Sequence, residues 1–464
     1  MPELVPYPGR RRGAASATMG VAASRDGRQT VDREWWPVVV VPGIMGSRIE
    51  KADGTDRLWD PDRTPFMLWL MSQSPDTLSR LYDHRVTPGR TMREIYVPNF
   101  MYSGRRDLDE DDDADELAIG LTRDERNWGS VAWEYYGPGC VAMQRQIAAE
   151  GGVIWCCGYD YRRDNIDSGL ALKNFINDVV RPTSPIKPII VTHSMGGLVT
   201  RAACAVHGME DMVSGVIHTM MPTYGAAEAY GSQKHGSMNF PFSRLIGDTR
   251  EEINCVSAGV TGMFQLMPCG QYPRRDWATF DARLASHLIP QQTYSLDNPY
   301  EIYRERSGHY GVANHETFNA NVVNTGGNRY VYNTRRLLRH ILANIDASEN
   351  YHHRQVRNYC HPRTWILAGD HTEGTVLQAN VGFHQPYYRD IALNIQSPTA
   401  LVTGDAGDQT VPLVSGRALE NAPGSQGGYT INGVVHSASV NDATAINATV
   451  DMIRASRAHQ VCRW

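Results

Sequence analysis

The stretch IIVTHSMGGLV, residues 189–199, decides how the chain is read. The apolar run Ile189, Ile190, Val191 leads to Ser194. Gly196 and Gly197 follow almost at once and open into the apolar pattern LVTRAACAV. The order is buried strand, tight turn, helix. A serine on such a turn holds its hydroxyl clear of the sheet, provided the residues two before and two after it are small. Gly196 meets that requirement, while Thr192 stands where the pattern G-x-S-x-G has its first glycine. The competing assignment is a serine that caps the helix N-terminus. The residues farther along the chain favour a nucleophile.

Further short apolar runs surround this one: PVVVVPG (37–43), VIWCCGYD (153–160), SGVIHTMMP (214–222), TWILAGD (364–370), TALVTGD (399–405) and GYTINGVVH (428–436). They are rich in Val and Ile and mostly do not alternate, the pattern of strands buried on both faces. Helical periodicity lies between several of them, at 140–151 and at 169–180, where Leu172, Phe175, Ile176 and Val179 form one stripe. The alternation predicts an α/β protein with a mostly parallel sheet and helices on both faces. Residues 1–34 read as a flexible tail. Residues 35–224 and 361–464 read as the core, with a lid-like insertion at about 51–135 and a polar, Tyr- and Asn-rich cap at 225–360. The acidic run DLDEDDDADE (107–116) reads as a solvated loop without the spacing of a calcium site.

A serine hydroxyl is a weak nucleophile that needs a base, and the base needs an orienting acid. Behind a strand–turn–helix serine these follow in the order acid, then histidine. His436 closes the last apolar run, just before a helical pattern over Val440, Ala443, Ile446, Val450 and Ile453. It is the candidate base. Asp408, in TGDAGDQTVPLVS (403–415), is the leading acid; Asp370 and Asp405 are the alternatives.

Bulk composition sets wide bounds. The 464 residues are 41% hydrophobic, ample for a large core, and the formal net charge of −5 argues against a general nucleic-acid binder. The eight cysteines include no C-x-x-C pair, which argues against a zinc ribbon. Cys156 and Cys157 read as buried thiols, and Cys255 and Cys269 as a pair able to bridge a loop. The N-terminus carries an arginine cluster but no apolar core of a secretory signal, and no run approaches a membrane span. The expected location is the cytoplasm, with export by a route that needs no signal peptide as the alternative.

Several segments in their order resemble the lecithin:cholesterol acyltransferase family, which includes lysosomal phospholipase A2 and the phospholipid:diacylglycerol acyltransferases. PVVVVPGIMGSRIE (37–50) is similar to its first strand and loop, and CGYDYR (157–162) to its Y-D-W-R segment, with Tyr161 for Trp. THSMGG, GDQTVPLVS (407–415) and VVHSAS are similar to its serine, acid and histidine segments, and MLWLMSQ to its aromatic lid. MMPTYGAA (220–227) departs from the family's A-P-x-x-G-S. The resemblance implies an α/β-hydrolase fold, a Ser194–Asp408–His436 triad, and an oxyanion hole made by the backbone N–H groups of Ile44 and Met195. Gly43 and Gly46 would let the first loop approach the reacting carbonyl.

These residues predict a serine-dependent acyl ester hydrolase of lipase or phospholipase type. It would work through an acyl-enzyme without metal or organic cofactor, on a lipid or other long-chain ester. Phe66, Leu68, Trp69 and Leu70 are candidate lid residues in transient contact with a lipid surface, or else a core helix. Acyl transfer to an alcohol is the alternative reaction; a hydrolase fold used only for binding is the alternative class. Oligomeric state has no signature here.

Overall fold

A computed structural model of the chain describes residues 3–8, 35–93, 120–235, 245–247, 250–272, 278–281, 292–293, 298–306, 311–312, 323–325, 328–330, 334–371, 379–382, 406–459 and 462–464. The run at 399–405, Asp405 and the acidic segment at 107–116 lie outside them. Seven strands make the main sheet: β1 (Glu3–Pro8), β2 (Trp36–Val41), β3 (Gly152–Cys156), β4 (Ile189–His193), β5 (Gly215–Thr219), β6 (Thr364–Asp370) and β7 (Ser425–Asn432). Their spatial order is β1-β7-β6-β5-β4-β2-β3. All neighbours run parallel except β1, which is antiparallel to β7 with Leu4 opposite Ile431.

The valine run of β2 shows why its apolar residues do not alternate with polar ones. Val39 and Val41 pack on one face with Leu172 and Ile176, and with Leu198 and Val199. Val38 and Val40 pack on the other with Cys140 and Ile147, and with Ile446 and Ile453. The first face is covered by α3 (Asn165–Phe175) and α4 (Gly196–His207). The second is covered by α2 (Trp133–Ile147) and the C-terminal helix Ala443–His459. Upstream of these, α1 (Thr64–Met71) belongs to the insertion after β2. A third apolar cluster, with Tyr230, Phe264, Tyr300, Tyr303 and Ile341, is built wholly from residues between β5 and β6. It includes α5 (Ala227–His235), α6 (Arg250–Ser257) and α7 (Thr334–Glu349).

One expectation needs correction, and one possibility is closed. Residues 3–8 are a sheet strand rather than part of a flexible tail. The prolines in ELVPYP suggest a non-strand, but β1 is an edge strand, where a missing N–H costs little. Tyr7 anchors it by donating its hydroxyl hydrogen to the Ile366 carbonyl at 3.1 Å. No disulfide joins Cys255 to Cys269; both are buried and pack as apolar thiols in the third cluster. Cys156 and Cys157 are buried as expected. Among the described residues no helix is long and apolar enough to cross a membrane.

The chain leaves β2 for β3 on one side and returns to β4 on the other. The carboxyl ends of β2 and β4, paired at Val41 and Thr192, therefore form a topological switch point. In open α/β sheets that crevice is where ligands bind. The loop Pro42–Gly46 leaves β2 there, and Ser194 leaves β4.

Candidate active site

Ser194 sits between β4 and α4 with φ 52°, a left-handed conformation that few non-glycine residues adopt. Its N–H donates to the Thr219 carbonyl at 2.9 Å, which ties the turn to β5. The tightness of the turn explains Gly196: a Cβ there would lie 2.5 Å from both the Val41 and Pro42 carbonyl oxygens. Thr192 is tolerated in place of glycine because its side chain turns toward β5, with Oγ1 2.9 Å from His218 Nδ1. Ser194 does not cap α4; no side chain does.

Its hydroxyl instead donates to His436 Nε2 at 2.9 Å. His436 Nδ1–H donates to Asp408 Oδ2 at 2.7 Å. Asp408 is only 1% exposed, and its other oxygen accepts the N–H groups of Thr410 at 3.0 Å and Val411 at 2.6 Å. Its own carbonyl accepts the His436 N–H at 2.8 Å, so two loops far apart in sequence are fastened to each other. Asp370, the alternative acid, lies at the end of β6 and accepts from the Gly407 N–H at 3.3 Å. It orders the Asp408 loop and has no hydrogen bond to His436.

The Pro42–Gly46 loop lies against the serine. A Cβ on Gly43 would be 2.9 Å from Ser194 Cβ and 3.4 Å from its Oγ, and a Cβ on Gly46 would strike the Tyr136 ring at 2.6 Å. The N–H groups of Ile44 and Met195 have no protein partner among the described residues. Ile44 lines the cavity beside Ser194.

A second layer, absent from the sequence reading, holds these parts in place. The Gly43 N–H donates to the Tyr136 hydroxyl oxygen at 2.8 Å, and Tyr136 donates in turn to His193 Nδ1 at 2.9 Å. The Nε2–H of His193 donates to the His436 carbonyl at 3.2 Å. This relay connects the loop after β2 to the histidine loop behind the serine. Burial pushes the His193 pKa down to about 3, and the neighbouring His436 adds to the effect. His193 is therefore neutral, with one nitrogen free to accept, as the relay requires. A histidine beside a candidate nucleophile was visible in the sequence; Tyr136, 57 residues upstream, carried no signal.

Ser194 and His436 open into a cavity of about 280 Å³ whose wall is mostly apolar, including Ile246, Val256, Val260, Met263 and Leu266. Tyr161, at the position of the resembled tryptophan, is part of the wall. The four aromatic and aliphatic residues proposed as a lid divide. Leu70 is fully buried and belongs to the core, so it is not available to lipid. Phe66 is half-buried, with its ring tilted against Trp69 at a centroid distance of 5.5 Å. Leu68 and Trp69 are 59% and 45% exposed. None of the four lines the cavity. Among the described residues no group of His, Cys, Asp and Glu is arranged to hold a metal ion.

Among solved structures, a chain from "The crystal structure of Tle4-Tli4 complex" is similar to this one. Its TM-score is 0.68 at 19% identity, over 94% of this chain and 100% of that chain. The chain has the α/β-hydrolase fold. No protein-family model and no curated protein matches the sequence. The likeness to the lecithin:cholesterol acyltransferase family thus stays at the level of the quoted motifs, and what stands is the wider fold.

Proposed function

We propose that the protein is a serine-dependent acyl ester hydrolase acting on a lipid or other long-chain ester. The observation that carries this reading is the unbroken line of hydrogen bonds Ser194–His436–Asp408 at the wall of an apolar cavity. His436 Nε2 takes the Ser194 proton as Oγ attacks the ester carbonyl. Asp408 keeps the imidazole hydrogen on Nδ1 and offsets the charge of the imidazolium. The carbonyl oxygen becomes an alkoxide and rests on the N–H groups of Ile44 and Met195. The intermediate then collapses, His436 returns the proton to the leaving alcohol, and the acyl group stays on Ser194. Water, deprotonated by His436, releases it as the carboxylic acid. Acyl transfer follows the same course with an alcohol in place of that water.

In this reading residues 35–224 and 361–464 are the catalytic core, and the cap, 225–360, supplies the wall that receives the acyl chain. Leu68 and Trp69 are the residues of the insertion that touch lipid; their exposure supports that role. The test is intact mass after treatment with a fluorophosphonate ester, with and without lipid vesicles. One adduct on the wild-type chain and none on Ser194→Ala is the expected result. An equal adduct on Ser194→Ala, or none on the wild type under either condition, would overturn the reading.

A further inference from the structure

Glu228 and Ser232 are polar members of a mostly apolar cavity wall. Both lie on α5, four residues apart, so they share one face of the helix. Both line the same cavity as Ser194 and His436. Neither side chain has a hydrogen bond or ion pair with any described residue. Both side chains are half-buried in a mostly apolar wall, so a bound ligand that displaces their water must supply the replacement hydrogen bonds. The neighbourhood acts on the carboxyl. Burial raises its pKa to about 7, a rise that the charge of His436 opposes and that of Asp408 supports.

We propose that Glu228 and Ser232 form the subsite for the alcohol part of the ester, and that they select alcohols carrying a free hydroxyl close to the ester bond, as in a glycerol-like partial ester. The inference rests on the hydrolase reading above. A hydroxyl fits both forms of Glu228: it donates to the carboxylate and accepts from the carboxylic acid. An ammonium group fits only the charged form and brings a second ion into an apolar wall. Ser232 adds one donor and one acceptor a helical turn along, enough for a second hydroxyl. The aliphatic part of the wall, Ile246, Val256, Val260, Met263 and Leu266, suits the acyl chain, and the hydroxyls of Tyr82, Tyr161 and Thr410 are the wall's other polar side-chain groups beside Ser194 and His436. A site that hydrogen-bonds a substrate hydroxyl rejects the analogue without it, because its own polar groups are then left unpaired.

The experiment compares kcat/KM of the full chain on a 1-monoacylglycerol and on the propyl ester of the same fatty acid, for wild type, Glu228→Gln and Glu228→Ala. The wild type is expected to prefer the monoacylglycerol by about tenfold or more. Glu228→Ala brings that ratio toward one. Glu228→Gln, which still hydrogen-bonds at nearly the same volume, keeps part of it and preserves the test if the alanine variant does not fold. A structural role lowers both rates by one factor and leaves the ratio intact; that result overturns the proposal. Turnover of both esters by the wild type without preference also overturns it, with the hydrolase reading untouched. Turnover of neither by folded wild type overturns this inference, and fluorophosphonate labelling of the same sample then shows whether the hydrolase reading falls with it.

Discussion

Asp408→Asn separates an acid that orients the histidine from one that only orders a loop. In the wild-type chain Asp408 Oδ1 accepts two backbone N–H groups and Oδ2 accepts from His436 Nδ1. Asparagine has one oxygen and one NH₂ group. The oxygen keeps the Thr410 and Val411 hydrogen bonds, because both of those partners are donors. The NH₂ then faces His436 and makes Nδ1 an acceptor. The imidazole hydrogen moves to Nε2, which points at Ser194 Oγ. In that tautomer His436 cannot take the serine proton. The loss expected for a misdirected tautomer is about 10⁴-fold in kcat, or ~5.4 kcal/mol at 1.36 kcal/mol per decade. Folding loses only a charge-assisted hydrogen bond, about 1–3 kcal/mol. The assay is hydrolysis of a soluble chromogenic ester and the rate of fluorophosphonate labelling, with urea denaturation to verify folding. Asp370→Asn serves as the control and should stay within about tenfold of wild type, since it touches only the Gly407 N–H of the same loop. A folded Asp408→Asn within tenfold of wild type would refute the argument, as would an Asp370→Asn that loses as much.

Three other outcomes follow from the geometry. Tyr136→Phe strands the Gly43 N–H and His193 Nδ1 in a buried site; the expected destabilisation is about 2–5 kcal/mol, read from the urea midpoint, with a fall in kcat, and an unchanged midpoint and rate would count against the relay. Leu68→Glu with Trp69→Glu should lower hydrolysis of vesicle lipid at least ~tenfold more than hydrolysis of a soluble ester, because each apolar side chain is worth ~1.5–3 kcal/mol on burial; equal losses on both substrates would remove the lipid-contact role. Acid should weaken the fold. His193, His218 and His352 are buried, and burial pushes each pKa to about 3, whereas in the unfolded chain they titrate near 6.5. Their contribution is complete above pH 6.5 and is lost as pH falls toward 3, at ~1.4 kcal/mol per unit for each. Asp62 and Glu228, raised by burial to about 6 and about 7, act in the opposite sense over part of that window. His352→Gln isolates one group: the stability difference between pH 7 and pH 5 should shrink by ~2 kcal/mol, and an unchanged difference would show that His352 binds its proton normally.

The sequence by itself determined the frame. A strand buried on both faces must be nearly all apolar, and a serine turn followed by a close-packed helix must have glycine where Gly196 meets the carbonyl oxygens of Val41 and Pro42. Such local demands leave local traces, so β2 to β7 and α4 could be read directly, and the chain order after Ser194 pointed to Asp408 and His436. Tertiary structure decided everything that depends on residues meeting across the fold. Ser194 Oγ and His436 Nε2 are 2.9 Å apart across 242 residues, a distance no local pattern carries. ELVPYP became a strand because β7 offered it an edge. Leu70 and Leu68, two residues apart on α1, parted into core and surface because a helix of 3.6 residues per turn points them in different directions. Tyr136 and Glu228 are ordinary residues in the sequence. They gain meaning from what surrounds them: a backbone N–H and a buried histidine for Tyr136, and an apolar wall beside the serine for Glu228. Burial and partnership belong to the assembled fold, because they arise only when distant segments exclude water together.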